Sequence, residues 1–311
     1  MRAFIFPGQG SQAVGMGQAL AAASVAAREL FQEVDEALGQ NLFRLMVEGP
    51  PEDLQLTENA QPAIMANALA TLRVLEREGG IRLADKAEYV AGHSLGEYSA
   101  LCAAEALGLS ATVRLLRVRG QAMQAAVPVG EGAMAALLGL DFAAVQAIAA
   151  DAAENEVCEA ANDNAPGQVV ISGTKAAVER AVELAKVRGG KRAMILPVSA
   201  PFHCSLMEPA ARVMQQALAK ADFRAPLVPL YANVTAEPVA DPSAIRTLLV
   251  DQVTGTVRWR ESVLAMAAAG VTEFVEFGGK VLTPMIKRIT PDATATSVVT
   301  MSDIEAFAKT L

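Results

Sequence analysis

The chain has 311 residues, enough for one large domain or two modest ones, and its 52% hydrophobic and 19% charged residues make an ordinary globular composition. A net charge of −8 argues against a nucleic-acid binder, and no uncharged apolar stretch reaches the ~18 residues of a membrane span. Three cysteines, Cys102, Cys158 and Cys204, are odd in number and lack metal-ligand spacing. They read as free thiols in a reducing cytosol, and the apolar run at Met1–Gly8 is too short for a signal peptide, so the expectation is a cytoplasmic protein.

In chain order, Ala3–Phe6 predicts a short buried strand ending at Pro7-Gly8-Gln9-Gly10-Ser11-Gln12. Gly8, Gly10 and Ala13 match a loosened dinucleotide fingerprint, but that fold needs a second strand carrying an acid about 20 residues on. Here Gln18–Val47 is instead Ala- and Leu-rich at helical spacing. The glycines therefore read as a loop that brings backbone N–H groups close to another site. Helical patterning continues through Pro62–Glu78, so a single strand precedes the next one, Tyr89–Ala91.

That second strand runs into Gly92-His93-Ser94-Leu95-Gly96, and Tyr98–Leu107 then shows helical spacing closed by Gly108. Strand, G-x-S-x-G and helix in this order form a nucleophile elbow. Small residues let the chain turn sharply and project the Ser94 hydroxyl, and the helix N-terminus offers free N–H groups to an oxyanion. A second helix, Ser110–Ala126, carries Arg114, Arg117 and Arg119.

Residues 129–197 change character. Strands are expected at Ala133–Leu140, Val157–Ala161, Gln168–Ser172 and Arg192–Pro197, with helices at Phe142–Ala153 and Lys175–Val187. Asn162–Gly167 reads as a turn between the middle strands. The order β-α-β-β-α-β is the ferredoxin-like split unit, inserted between residues 1–128 and 198–311. Beyond it come a helix at Leu206–Ala221, a strand at Leu227–Ala232 and a helix around Ile245–Gln252. A helix at Trp259–Ala269, a strand at Glu273–Phe277 and a turn at Gly278-Gly279 follow. Alternating strands and helices predict an α/β fold with a parallel sheet in this larger part.

A nucleophilic serine needs a base, and the chain has two histidines. His93 adjoins Ser94, where neighbouring side chains diverge around the turn, so His203, just past Pro201, is the candidate. Cys204 lacks an elbow or helix N-terminus and reads as packed. These features alone leave a serine esterase or thioesterase open.

Several motifs together, Phe6–Gln12, Gly92–Tyr98, Arg119-Gly120, Pro166–Gly173 and Phe202-His203, are similar in kind and order to those of the malonyl-CoA:acyl carrier protein transacylases. That acyltransferase family also includes domains of fatty-acid and polyketide synthases. The resemblance covers essentially the whole chain and implies a hydrolase-like parallel-sheet subdomain with a ferredoxin-like insertion. It implies Ser94 as nucleophile, His203 as base and later acid, and the backbone N–H groups of Gln9 and Leu95 as the oxyanion hole. Arg119 would clamp the malonyl carboxylate, a task suited to a planar guanidinium. The backbone carbonyl of Gln252 would orient the histidine, and Phe202 would restrict α-branched acyl groups. The partners implied are malonyl-CoA and acyl carrier protein, with no metal or redox cofactor, in fatty-acid synthesis or alternatively a polyketide pathway. Carrier proteins of these systems are small and acidic, which makes the cations Lys186, Arg188, Lys191 and Arg192 a candidate docking rim. One departure is Gly278-Gly279-Lys280, a residue shorter than the family's Gly-Pro-Gly-Lys.

Overall fold

In the computed structural model, which describes residues 1–311, strand β1 (Arg2–Phe6) is buried on both faces. Helices α1 (Gln18–Ala23), α2 (Val25–Leu38), α3 (Leu42–Glu48), α4 (Pro51–Gln55), α5 (Thr57–Gly79) and α6 (Leu83–Lys86) separate it from β2 (Tyr89–Gly92). Next come α7 (Gly96–Ala103) and α8 (Leu109–Ala126). The middle of the chain forms β3 (Gly132–Leu138), α9 (Phe142–Ala153), β4 (Cys158–Ala165), β5 (Gln168–Thr174), α10 (Lys175–Val187) and β6 (Arg192–Ile195). A 3-10 turn at Ser205–Met207 leads into α11 (Glu208–Ala219), β7 (Leu230–Tyr231), β8 (Pro238–Val239) and α12 (Pro242–Thr254). The chain closes with α13 (Trp259–Ala268), β9 (Glu273–Phe277), α14 (Leu282–Ile289), β10 (Thr294–Val298) and α15 (Met301–Ala308).

The larger sheet has the order β10-β9-β1-β2-β7-β8, parallel except for the edge strand β8. Helices cover both faces, as a parallel sheet requires. Phe4 and Phe6 point to the side of α5 and α15, where Phe4 meets Phe277 edge-on at 4.8 Å. Ala3 and Ile5 point the other way, onto Trp259, Val263 and Ile286 of α13 and α14. The smaller sheet is antiparallel, in the order β4-β5-β3-β6. One of its faces packs Leu137, Val169 and Ile171 against Val145, Ile148 and Val178 of α9 and α10. Met134, Ala136 and Val170 on the other face join the core of the larger part. The α/β class, the parallel sheet and the ferredoxin-like order thus agree with the sequence.

Three local expectations change. The helix after Ser94 stops at Ala103, because Glu105 adopts a left-handed φ of 59° and Ala106 N–H reaches back to the Leu101 carbonyl. Gly108 is extended and begins α8 instead of ending α7. Asn162–Ala165 is strand, not turn; only Pro166 and Gly167 separate β4 from β5. The polar side chains there find partners in the larger part. Asp163 takes both oxygens to Arg260 Nε at 3.0 and 2.9 Å, and Asn162 bridges to Val257. The strand expected at Leu227–Ala232 shortens to Leu230–Tyr231.

Candidate active site

Ser94 stands at the turn between β2 and α7 with φ 53°, a left-handed conformation held by its surroundings. Glycine is required on both sides of the turn. A Cβ on Gly92 would lie 1.9 Å from the Gly96 carbonyl, and one on Gly96 would lie 2.3 Å from the Phe6 oxygen. The side chain of Asn233, just past β7, closes the turn from the flank. Its Oδ1 accepts the Ser94 N–H at 2.8 Å and its Nδ2 donates to the Gly92 carbonyl at 2.7 Å.

The loop after β6 brings His203 to Ser94. Its approach is fixed by Pro201, which packs on Gly132, and by Cys204, whose thiol donates to the Pro201 carbonyl at 3.2 Å. The Ser94 hydroxyl lies 2.8 Å from His203 Nε2, and His203 Nδ1 lies 2.9 Å from the Gln252 carbonyl. A carbonyl only accepts, so Nδ1 carries the proton and Nε2 is free to accept from Ser94. Asp241 caps α12 by accepting the Ala244 N–H at 2.7 Å, with Pro242 in the first turn, and Gln252 sits in the last turn.

Arg119 enters from α8 and is wholly buried. Its Nη1 donates to Gln61 Oε1 at 2.8 Å, and its Nη2 donates to Gln252 Oε1 at 2.9 Å and Ser94 Oγ at 3.1 Å. All three acceptors are neutral. Burial and the Arg119 charge together push His203 down to about 3, so the imidazole is neutral across the physiological range.

A cleft of about 420 Å³ opens in front of Ser94 and His203. Gln9, Leu95, Arg119 and Phe202 line it from the larger part, while Met134, Asn164 and Val170 roof it from the smaller sheet. Neither the Gln9 nor the Leu95 backbone N–H has a hydrogen-bond partner within the protein. His93 turns away from Ser94 and contacts Asn164 Oδ1 through Nε2 at 2.7 Å. Cys204 is buried, and burial raises its thiol to about 11, which makes it a poor nucleophile.

Six of the seven residues singled out in the sequence thus line one cleft, and the seventh, Gln252, lies beneath Ser94. Sequence reasoning missed Gln61, Asn233 and Glu97, and saw only the backbone of Gln252. Glu97 had a legible signal, as the lone charge in the otherwise uncharged run from Tyr89 to Ala104. Asn233 and Gln61 had none, because their relevance depends on which strand and helix lie beside the elbow.

Comparison with known proteins agrees with this geometry. The acyl transferase domain family matches residues 3–298. The malonyl CoA-acyl carrier protein transacylase of Escherichia coli (strain K12) is 48% identical over 297 residues, 95% of each chain. The crystal structure of the acyl-carrier-protein-S-malonyltransferase from Bartonella henselae superposes with a TM-score of 0.97 at 54% identity, covering 99% of this chain and 98% of that one. A malonyl-transacylase solved in complex with its type II PKS acyl-carrier protein gives a TM-score of 0.96 at 39% identity, covering 100% of this chain and 99% of that one. The chain belongs to the acyl transferase family, among the malonyl CoA-acyl carrier protein transacylases.

Proposed function

We propose that this protein transfers the malonyl group of malonyl-CoA to the phosphopantetheine thiol of an acyl carrier protein, through a malonyl ester on Ser94, and supplies fatty-acid biosynthesis. The observation that carries the choice of acyl group is Arg119, a buried guanidinium beside the nucleophile whose direct partners are all neutral. A buried cation of this kind is stabilised by an anion that arrives with the substrate.

The reaction follows from the hydrogen bonds. Ser94 Oγ attacks the thioester carbonyl and passes its proton to His203 Nε2. The tetrahedral oxyanion faces the unpaired N–H groups of Gln9 and Leu95. Collapse breaks the C–S bond, and the coenzyme A thiolate takes the proton from His203. In the second half, the carrier thiol gives its proton to His203 and attacks the ester. Ser94 leaves and recovers the proton. The Gln252 carbonyl keeps the imidazole in the required tautomer throughout, so no third carboxylate is needed. Phe202 walls the cleft beside the acyl group; Phe202→Ser should raise methylmalonyl use relative to malonyl, and an unchanged ratio removes that role.

Intact mass after mixing with malonyl-CoA tests the reading. The expected result is one malonyl increment, absent in Ser94→Ala and discharged by a pantetheine thiol faster than by water. Labelling of Ser94→Ala, or discharge by water alone, overturns it.

A further inference from the structure

Glu97 lies in the first turn of α7 directly beneath Ser94, buried to 1% exposure. Its Oε1 accepts the Asn233 backbone N–H at 3.3 Å and its Oε2 accepts from Gln252 Nε2. The same Gln252 nitrogen faces the Ser94 carbonyl at 3.0 Å, and Gln252 Oε1 accepts from Arg119 on the opposite side. A primary amide has nearly the same shape either way round, so packing does not choose its orientation. The surrounding donors and acceptors do so here. A reversed Gln252 would set its NH2 against the guanidinium donors and its oxygen against the Ser94 carbonyl. The Glu97 carboxyl, pushed up to about 8 by burial, holds the NH2 by hydrogen bonding and not by charge, its two oxygens both facing donors.

Gln252 serves two groups at once. Its side chain holds Arg119 Nη2 next to Ser94, and its backbone holds His203. From this juxtaposition we infer that Glu97 is a positioning residue for acyl selectivity, anchoring the Gln252 carboxamide so that Arg119 faces an incoming acyl carboxylate. Glu97 itself touches neither substrate nor Arg119. The inference rests on the malonyl-transfer reading, since only an anionic acyl group makes demands on the orientation of Arg119.

The test compares loading of malonyl and acetyl groups onto Ser94 in single turnovers of the full chain, for the parent, Glu97→Gln, Gln252→Ala and the double variant. Either single change is expected to lower the malonyl-to-acetyl ratio roughly tenfold or more. The double variant should lose no more than the worse single one, because one acts through the other. An unchanged ratio in Glu97→Gln, or single losses that multiply in the double variant, overturns the inference. Should Glu97→Gln fail to fold, Gln252→Ala decides alone, and equal loss for both acyl groups overturns it. A parent that loads no malonyl group refutes the transfer reading itself, and the inference with it.

Discussion

Arg119 meets Ser94 with only neutral acceptors on its own hydrogen bonds, and that one residue sets two expectations. Arg119→Ala should lower malonyl transfer while sparing acetyl transfer. A lost charge-assisted hydrogen bond is worth about 1.5–3 kcal/mol, or roughly ten- to a hundredfold in kcat/KM. Equal losses for the two acyl groups would make Arg119 structural. The second expectation is the pH profile. Lowering the pH must protonate His203 before the base is lost, and burial together with the nearby guanidinium disfavours the cation. The acid limb of malonyl loading should therefore fall below the ordinary histidine value of 6.5, toward about 3, as far as the fold survives. In a folded Arg119→Ala variant the limb should move back up. A limb centred at 6.5 in the parent would contradict the buried, neutral imidazole.

At the scale of elements, the turn from β2 to α7 tolerates no side chain at Gly92. Gly92→Ala forces a methyl group to within 1.9 Å of the Gly96 backbone, not of a flexible side chain. Overpacking of this kind costs about 1–3 kcal/mol or more, so the urea midpoint should drop and Ser94 labelling should fail even where the variant folds. An active variant of parental stability would show that the elbow is looser than described. This element was legible in the sequence because its demands are local: two small residues, a strand before and a helix after. β4 was not. Asn162, Asp163 and Asn164 carry turn propensity, and what keeps them extended is Val257, Arg260 and His93. Those partners lie far along the chain, so local pattern reads the stretch as a turn. Likewise Gln252 was visible as a backbone acceptor through family likeness, while the contact of its side chain with Arg119 depends on how α8 and α12 meet.

For the whole molecule, a net charge of −8 opposes an acidic carrier protein, so local cations must guide it. Of the four cations near the end of α10, Lys186 pairs with Glu183 at 2.5 Å and Arg188 with Asp151 at 2.6 Å. Lys191 and Arg192 are exposed and have no acidic partner, and β6 runs from them toward Leu196 and Val198 in the cleft wall. Lys191→Glu with Arg192→Glu should raise KM for carrier protein and flatten its salt dependence, with little change in loading from malonyl-CoA. Unaltered carrier kinetics in a folded variant would move docking elsewhere. The long reach of the contacts around Ser94 also bears on how the protein is made. Asn233 and Gln252 lie 139 and 158 positions after the serine they hold, and β1 needs β9 beside it. At about 5–20 residues per second, roughly 8–30 s of translation separate the emergence of Ser94 from that of Gln252. During that interval Ser94 is an ordinary hydroxyl on an unfinished chain. Ribosome-bound chains stalled before Asn233 should therefore take no malonyl label, and acylation begins only after Gln252 and β9 have emerged.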